Sequence, residues 1–256
     1  MPQTRNSSLP LLLSLLSVIA AATGCSTRAK PDLQPLELQG PVSVHVESFA
    51  GDVTIKAVHG PSYVTVEGEA LHAINRTTDA ETALDSIRWT TELDNDDRGP
   101  RLVVRVQSDS DETHLLRAHV TVRIPIADGI HVRTRRGDVL IDDVTGPVDV
   151  RTTDGWIELL SDQPLRDPIS LFTNDGDVNV RIAPGSCGTF DLHADHGSSR
   201  VNVKSGQLIV RGHSSEEVFN GILNDGANPI TIRTTDGSIR FVVKPNPKQH
   251  GLFHIP

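Results

Sequence analysis

One short corner recurs along this chain, and it dictates the class of fold. An alternating strand runs into Thr or a substitute, then a polar residue and Gly, then a second alternating strand. The copies occupy residues 132–141, 148–159, 169–180, 190–201 and 230–241, with Gly137, Gly155, Gly176, Gly197 and Gly237 at their bends. The first four glycines recur at about 20 residues, and Gly237 falls near two intervals further on. Gly51, in Ser48-Phe49-Ala50-Gly51-Asp52-Val53, reads as an earlier copy. Repeats of this period mark stacked architectures.

The physics of the unit explains the pattern. A polar-Gly pair reaches the positive φ of a tight bend without a Cβ clash. Period-two alternation, as in Val42, Val44 and Val46 against Ser43, His45 and Glu47, gives strands that are apolar on one face. One such unit cannot enclose a core, whereas stacked units cover each other's aliphatic rows. Asp-Gly is also a hairpin signal. The even period without matching return loops favours coils over hairpins. The expected fold is therefore all-β: a single-stranded, β-helix-like solenoid of roughly 20-residue coils, spanning residues 41–243. A three-four rhythm at Ala80, Ala83, Leu84 and Ile87, with Asp79 as N-cap and Glu81 in the first turn, predicts one short helix near 79–88 that gives way to a strand at Trp89.

The start of the chain carries a different signal. Arg5 precedes an apolar run from Leu9 to Ala22, too short for a permanent membrane span and suited to the core of a secretory signal. Ala22-Thr23-Gly24-Cys25 resembles the lipobox of bacterial lipoproteins, with Ala22 in place of the preferred Leu. The resemblance implies residues 1–24 as signal peptide and Cys25 as the lipidated N-terminus of the mature protein. Two or three acyl chains, palmitate among them, would anchor it stably. Ser26 resembles the residue that releases many lipoproteins from the inner membrane. Residues 25–40, punctuated by Pro31, Pro35 and Gly40, read as a linker, and 244–256 as a tail whose Lys244–Lys248 stretch blunts the last strand edge.

Composition removes whole classes of function. Acidic residues number 33 against 24 basic ones, interspersed, with no concentrated Lys/Arg footprint for nucleic acid. Cys187 is left alone once Cys25 carries lipid, so no internal disulfide is expected, and a buried, inert thiol is the reading.

Residues 152–157, 173–178 and 234–239, each of the form Thr-x-Asp-Gly-x-Ile/Val, resemble the repeats of the “putative adhesin” family of bacterial envelope proteins, as does the turn at 220–226. The resemblance spans about residues 42–243. It implies a β-solenoid at the cell envelope and brings no catalytic residues with it.

The corners carry the residues with candidate chemistry. Asp52, Asp138, Asp154, Asp175, Asp177 and Asp236 could form a carboxylate ladder for Ca²⁺, but Asp beside Gly is ordinary turn chemistry and the Gly-Gly-x-Gly-x-Asp spacing is missing. Asp154, Asp175, Asp195 and Asp236 would be the acids of a solenoid polysaccharide enzyme, yet short corners leave little to build a cleft. His193 and His196 lack a third zinc ligand. The expectation is a non-enzymatic, lipid-anchored envelope protein without cofactor or metal, presenting a solenoid surface for adhesion, binding or scaffolding. Its partners would be the membrane, an envelope protein or glycan, or a second copy. A periplasmic sensor domain is the alternative, and a solenoid enzyme a more distant one.

Overall fold

The computed structural model describes residues 21–22, 26–38, 40–71, 80–96, 99–212, 214–226 and 228–249. In chain order, short strands β1 (Ala21–Ala22), β2 (Ser26–Arg28) and β3 (Asp32–Leu36) precede β4 (Val42–Ser48) and β5 (Val53–Ala57). Next come β6 (Ser62–Leu71), helix α1 (Ala80–Leu84), β7 (Ile87–Asp96), β8 (Gly99–Ser108) and β9 (Leu116–Ile124). The regular repeats are β10 (Ala127–Arg133) with β11 (Val139–Asp142), β12 (Thr145–Arg151) with β13 (Ile157–Ser161), and β14 (Ile169–Phe172) with β15 (Val178–Ile182). They continue through β16 (Gly188–Ala194) and β17 (Ser199–Val203), then β18 (Leu208–Val210) and β19 (Val218–Leu223), and close with β20 (Pro229–Thr234) and β21 (Ile239–Val243).

Each coil gives one strand to each of two facing sheets. One sheet runs β8-β4-β10-β12-β14-β20-β16 and the other β9-β5-β11-β13-β15-β21-β17, with parallel neighbours throughout. The chain is thus an all-β solenoid. Its stacking order departs from chain order in two places. The β4–β5 coil lies between β8–β9 and β10–β11, and the β20–β21 coil lies between β14–β15 and β16–β17. This explains why Gly51 and Gly237 fall outside the regular interval. Both are corners of inserted coils.

Parallel register turns the alternating pattern into continuous columns. Leu102, Val44, Ile130, Val148, Ile169, Ile230 and Phe190 are successive partners across one sheet. Val122, Ile55, Ile141, Leu159, Val180 and Phe241 do the same across the other. All of these side chains are buried. A coil such as β12–β13 buries Val148, Val150, Ile157 and Leu159, at roughly 1.5–3 kcal/mol each. Aromatic residues close the ends. Phe190 packs edge-on against Phe241 and Phe219 with ring centroids 4.8 and 5.8 Å away. At the other end α1 buries Ala83 and Leu84, and buried Trp89 donates its indole N–H to Asp32, 3.2 Å away.

The corner glycines pack backbone on backbone. A Cβ on Gly155 would lie 2.3 Å from the Gly137 carbonyl oxygen, and one on Gly176 would lie 2.4 Å from that of Gly155. Gly237 meets Gly176 at 2.1 Å and Gly197 meets Gly237 at 1.9 Å, so the contact follows stacking order. The buried Thr hydroxyls ahead of the bend reinforce it. Thr173 donates to the Gly155 carbonyl at 2.9 Å, Thr152 to Gly137 at 3.2 Å and Thr234 to Gly176 at 2.9 Å.

Three expectations are corrected. Part of the stretch read as a linker is strand: β2 and β3 pair antiparallel with β6. The alternation of exposed and half-buried residues in β3 was hidden by Pro35, tolerated there because β3 has only one strand neighbour. The helix is shorter than expected, and Ile87 is buried at the start of β7; Asp79, its expected cap, lies outside the described residues. Lys244–Lys248 does not blunt an edge, because β21 is flanked on both sides by β15 and β17.

The β2 attachment holds a titratable cluster. The Ser26 hydroxyl donates to buried Glu69 at 2.6 Å, and Arg28 pairs with the same carboxylate at 3.3 Å. His119 bridges Asp52 at 3.0 Å and Glu69 at 3.1 Å. The Asp52 hydrogen bond, seconded by Glu69, raises His119 above its ordinary 6.5 against the pull of burial. The His119 hydrogen bond holds Asp52 below 3.8. At Glu69 burial opposes ionisation, but Ser26, His119 and Arg28 outweigh it and keep the group below 4.5.

Two measurements check this. Gly155→Ala should lower stability by more than about 3 kcal/mol in denaturant titrations, because the left-handed φ of 145° and the backbone clash act together, whereas Gly99→Ala, with φ 121° and open space around it, should cost about 1–2 kcal/mol of strain. The raised histidine stabilises the fold below 6.5 and loses that contribution as pH rises through its folded value, while the lowered carboxylates contribute above 3.8 and 4.5 and lose it on acidification. The melting-temperature gap between wild type and His119→Gln should therefore be widest between pH 4.5 and 6.5 and narrow above it.

Candidate functional site

The residues flanking each corner glycine fall into two columns with different chemistry. The residue after glycine points along the stack and caps the next row. Asp52 accepts the Asp138 N–H at 2.9 Å, Asp138 accepts the Trp156 N–H at 3.0 Å, and Asp177 accepts the Ser238 N–H at 2.8 Å. These carboxylates are engaged in holding corners together. Burial raises Asp138 above the ordinary 3.8, against the pull of the Trp156 N–H.

The residue before glycine forms a second column. Arg136, Asp154, Asp175 and Asp236 are successive parallel bridge partners, so neighbouring rows sit about 4.8 Å apart. Asp154, Asp175 and Asp236 are all exposed, the Asp236 side chain by 62%. The three carboxylates make an acidic ridge. Its ends carry groups of opposite character: Arg136, whose guanidinium reaches the His114 carbonyl at 3.0 Å, and His196, whose Nδ1 lies 3.0 Å from Asp236. Beside the ridge is an open depression of about 720 Å³ lined by Asp138, Glu158, Asp177 and Asn179, with Trp156, 38% exposed, on its wall. An exposed indole next to stacked carboxylates offers an apolar platform with negative charge along one side.

Of the four acids considered for glycan chemistry, Asp154, Asp175 and Asp236 come together and Asp195 does not. Asp195 stands one position earlier in its coil, its N–H bonded to the Thr234 carbonyl at 3.0 Å, and its carboxylate pairs with His193 at 2.9 Å. His193 and His196 therefore serve different carboxylates. Among the described residues no three His, Cys, Asp or Glu side chains are grouped to hold a metal ion. Cys187 is free and buried, its thiol 3.4 Å from the Asn228 side-chain oxygen. Cys25 lies outside the described residues.

Two other groupings have no signature in the residue pattern. His45 and His131 lie on adjacent rows with ring centroids 4.0 Å apart, and burial holds both below the ordinary 6.5. Asp52, Glu69 and His119 meet from the β4–β5 corner, β6 and β9. Both depend on which coils become neighbours, and the insertion of the β4–β5 coil decides that.

A family model described as Toastrack DUF4097 matches residues 118–241. The Toastrack match runs from β9 to β21 and takes in every corner of the repeat except Gly51. No curated protein matches the chain. A solved structure named as a “putative cell adhesion protein” from Clostridium sporogenes superposes with a TM-score of 0.52 at 12% identity, covering 84% of this chain and 99% of that one. At such identity the likeness is one of fold. A “putative adhesin” from Bacteroides fragilis aligns over 82% of this chain and 96% of its own, at 10% identity and a TM-score of 0.32.

The two columns predict opposite responses to charge removal. Asp175→Asn should leave thermal stability unchanged or raise it slightly at low salt, since it relieves like-charge repulsion along the ridge and breaks no capping bond. Asp177→Asn should lower stability by about 1 kcal/mol, because it weakens a charge-assisted cap on the Ser238 N–H. Parallel melting curves at low and high salt would separate them.

Proposed function

We propose that this chain is a non-enzymatic cell-envelope protein, held at a membrane by lipid on Cys25, whose solenoid flank serves adhesion, binding or scaffolding. The observation that carries the reading is the filled interior. Aliphatic columns run from β8–β9 to β16–β17 with aromatic or helical closures at both ends, so chemistry is confined to open outer surfaces. The acidic ridge with Trp156 is the contact face this reading favours. Its carboxylates are not consumed by turn formation, unlike those of the neighbouring column. The structural neighbour named for cell adhesion supports the same direction. The Ala22-Thr23-Gly24-Cys25 motif supplies the anchor.

Membrane fractionation tests the anchor. The Cys25→Ala protein should leave the membrane fraction and appear as soluble exported protein. Retention of Cys25→Ala with membranes at the wild-type level would refute lipid anchoring. Neutralising the ridge with Asp154→Asn, Asp175→Asn and Asp236→Asn together should reduce attachment of wild-type-anchored protein to intact envelopes without altering its fold.

A further inference from the structure

A hollow of about 380 Å³ lies on the outer face of the first sheet, where β8, β4, β10 and β12 begin. The backbone shapes it. Between Ala127 and Ile130, β10 has one residue more than β4, and between Thr145 and Val148, β12 has one more than β10. Gly129 and Gly146, with φ of 95° and 76°, turn the chain at these bulges. Bulges re-aim side chains and are over-represented beside functional sites. Pro41, Pro100 and Pro147 line the hollow and give it flat C–H surface.

His45, His131 and Asp149 are register partners on three successive rows, and all three line the hollow. Asp149 Oδ2 is engaged, 2.5 Å from Arg133 and 3.3 Å from His131 Nδ1. Asp149 Oδ1 is buried and has no hydrogen-bond partner among the described residues. His45 Nε2 is in the same condition, with Glu47 standing 3.5 Å away without completing a hydrogen bond. Buried polar atoms are normally paired, so two orphans at one hollow point to a ligand that pairs them. The walls carry both signs of charge: Arg101, which pairs with Asp94 at 2.8 Å, and the carboxylates of Asp128 and Asp149. An anion would face two carboxylates, and a cation would face a guanidinium. Burial holds both imidazoles below 6.5, so neither adds charge at neutral pH. A hydroxyl group escapes the conflict, since it donates to a carboxylate oxygen and either donates to or accepts from an imidazole nitrogen. His45 and Asp149 stand two rows apart, about 10 Å at sheet spacing. Two linked pyranose rings span that distance and one does not.

We propose that this hollow binds a neutral disaccharide unit of a glycan, its hydroxyls hydrogen-bonded to Asp149 Oδ1 and His45 Nε2 and its C–H faces against the prolines. The ligand class rests on the binding role given above, but the surface is a different one: the acidic ridge lies at the glycine corners, and the hollow lies at the other end of the strands. His131 is a positioning residue, held by Asp149 and packed edge-on against His45 with ring centroids 4.0 Å apart.

The test uses the full mature-length chain carrying Cys25→Ala, so it depends on neither lipid nor membrane. Cellobiose, maltose, lactose and di-N-acetylchitobiose serve as neutral probes, with digalacturonate and the glucosamine dimer as charged comparators. The readout is the imidazole nitrogen resonances of His45 and His131, assigned with His45→Gln and His131→Gln. At least one neutral disaccharide should shift both rings saturably, with a dissociation constant below about 10 mM, and more tightly than either charged dimer. Asp149→Asn should weaken that binding about tenfold or more. Where Asp149→Asn fails to fold, His45→Gln should show the same loss, followed through His131. The ridge variant Asp154→Asn, Asp175→Asn, Asp236→Asn should bind as wild type, which separates this site from the contact face of the ridge. No saturable shift of either ring with any neutral probe would overturn the proposal. So would charged dimers that bind as tightly, or affinity unchanged in both pocket variants, and neither result would touch the anchor or the ridge.

Discussion

The contact on which this molecule depends is a peptide group lying where a side chain would otherwise be. At each bend from Gly51 through Gly137, Gly155, Gly176 and Gly237 to Gly197, the carbonyl of the preceding row occupies the position of the missing Cβ. That approach lets rows stack at sheet spacing through the bend as well as along the strands. The hydrogen-bond ladder therefore continues around the corner, with the Gly155 N–H reaching the Asp175 carbonyl at 2.7 Å and the Gly176 N–H reaching Asp236 at 2.8 Å. Without continuity at the bend, the two sheets could not keep a common register. Val, Ile and Leu would then not meet their own kind in columns.

Glycine also divides labour between its neighbours. One step after it, an acid is drawn along the stack and used as a backbone acceptor. One step before it, an acid is left facing solvent. The same residue type in the same corner is thus structural at Asp52, Asp138 and Asp177 and open to solvent at Asp154, Asp175 and Asp236. Row stacking brings like charges to adjacent positions, which no isolated turn would do. The acidic stretch is bounded by Arg136 at one end and by the His196 ring nitrogen on Asp236 at the other.

Much of the fold was legible because each unit is local. Alternation around Val148 and Val150, the bend at Gly155 and the return through Ile157 and Leu159 can all be read from a dozen consecutive residues. What escaped was order. Nothing in the residues 42–57 states that they lie between rows made by 99–124 and 127–142, since any aliphatic row fits any other at this spacing. The clusters that depend on order escaped with it: His119 with Glu69 and Asp52, and His45 with His131. β2 and β3 were missed because their burial comes from pairing with β6 rather than from an apolar stripe of their own. The ridge was half legible. The acids were visible as a set, but their division into two columns is a matter of direction along the stack.

The inserted coils bear on how the polypeptide reaches this state. In a solenoid laid down in chain order, early rows can settle while later ones are still being made, and growth proceeds by addition at one face. Here the row at 42–57 stays unflanked until residues near 100 and 130 have both arrived, and the final row must enter between two rows that precede it in the chain. Assembly is therefore an interleaving, with distant segments closing around one another. Partial products expose unpaired aliphatic edges until the last strand is seated, so a chain of this design has reason to complete its fold only once all of its rows are present.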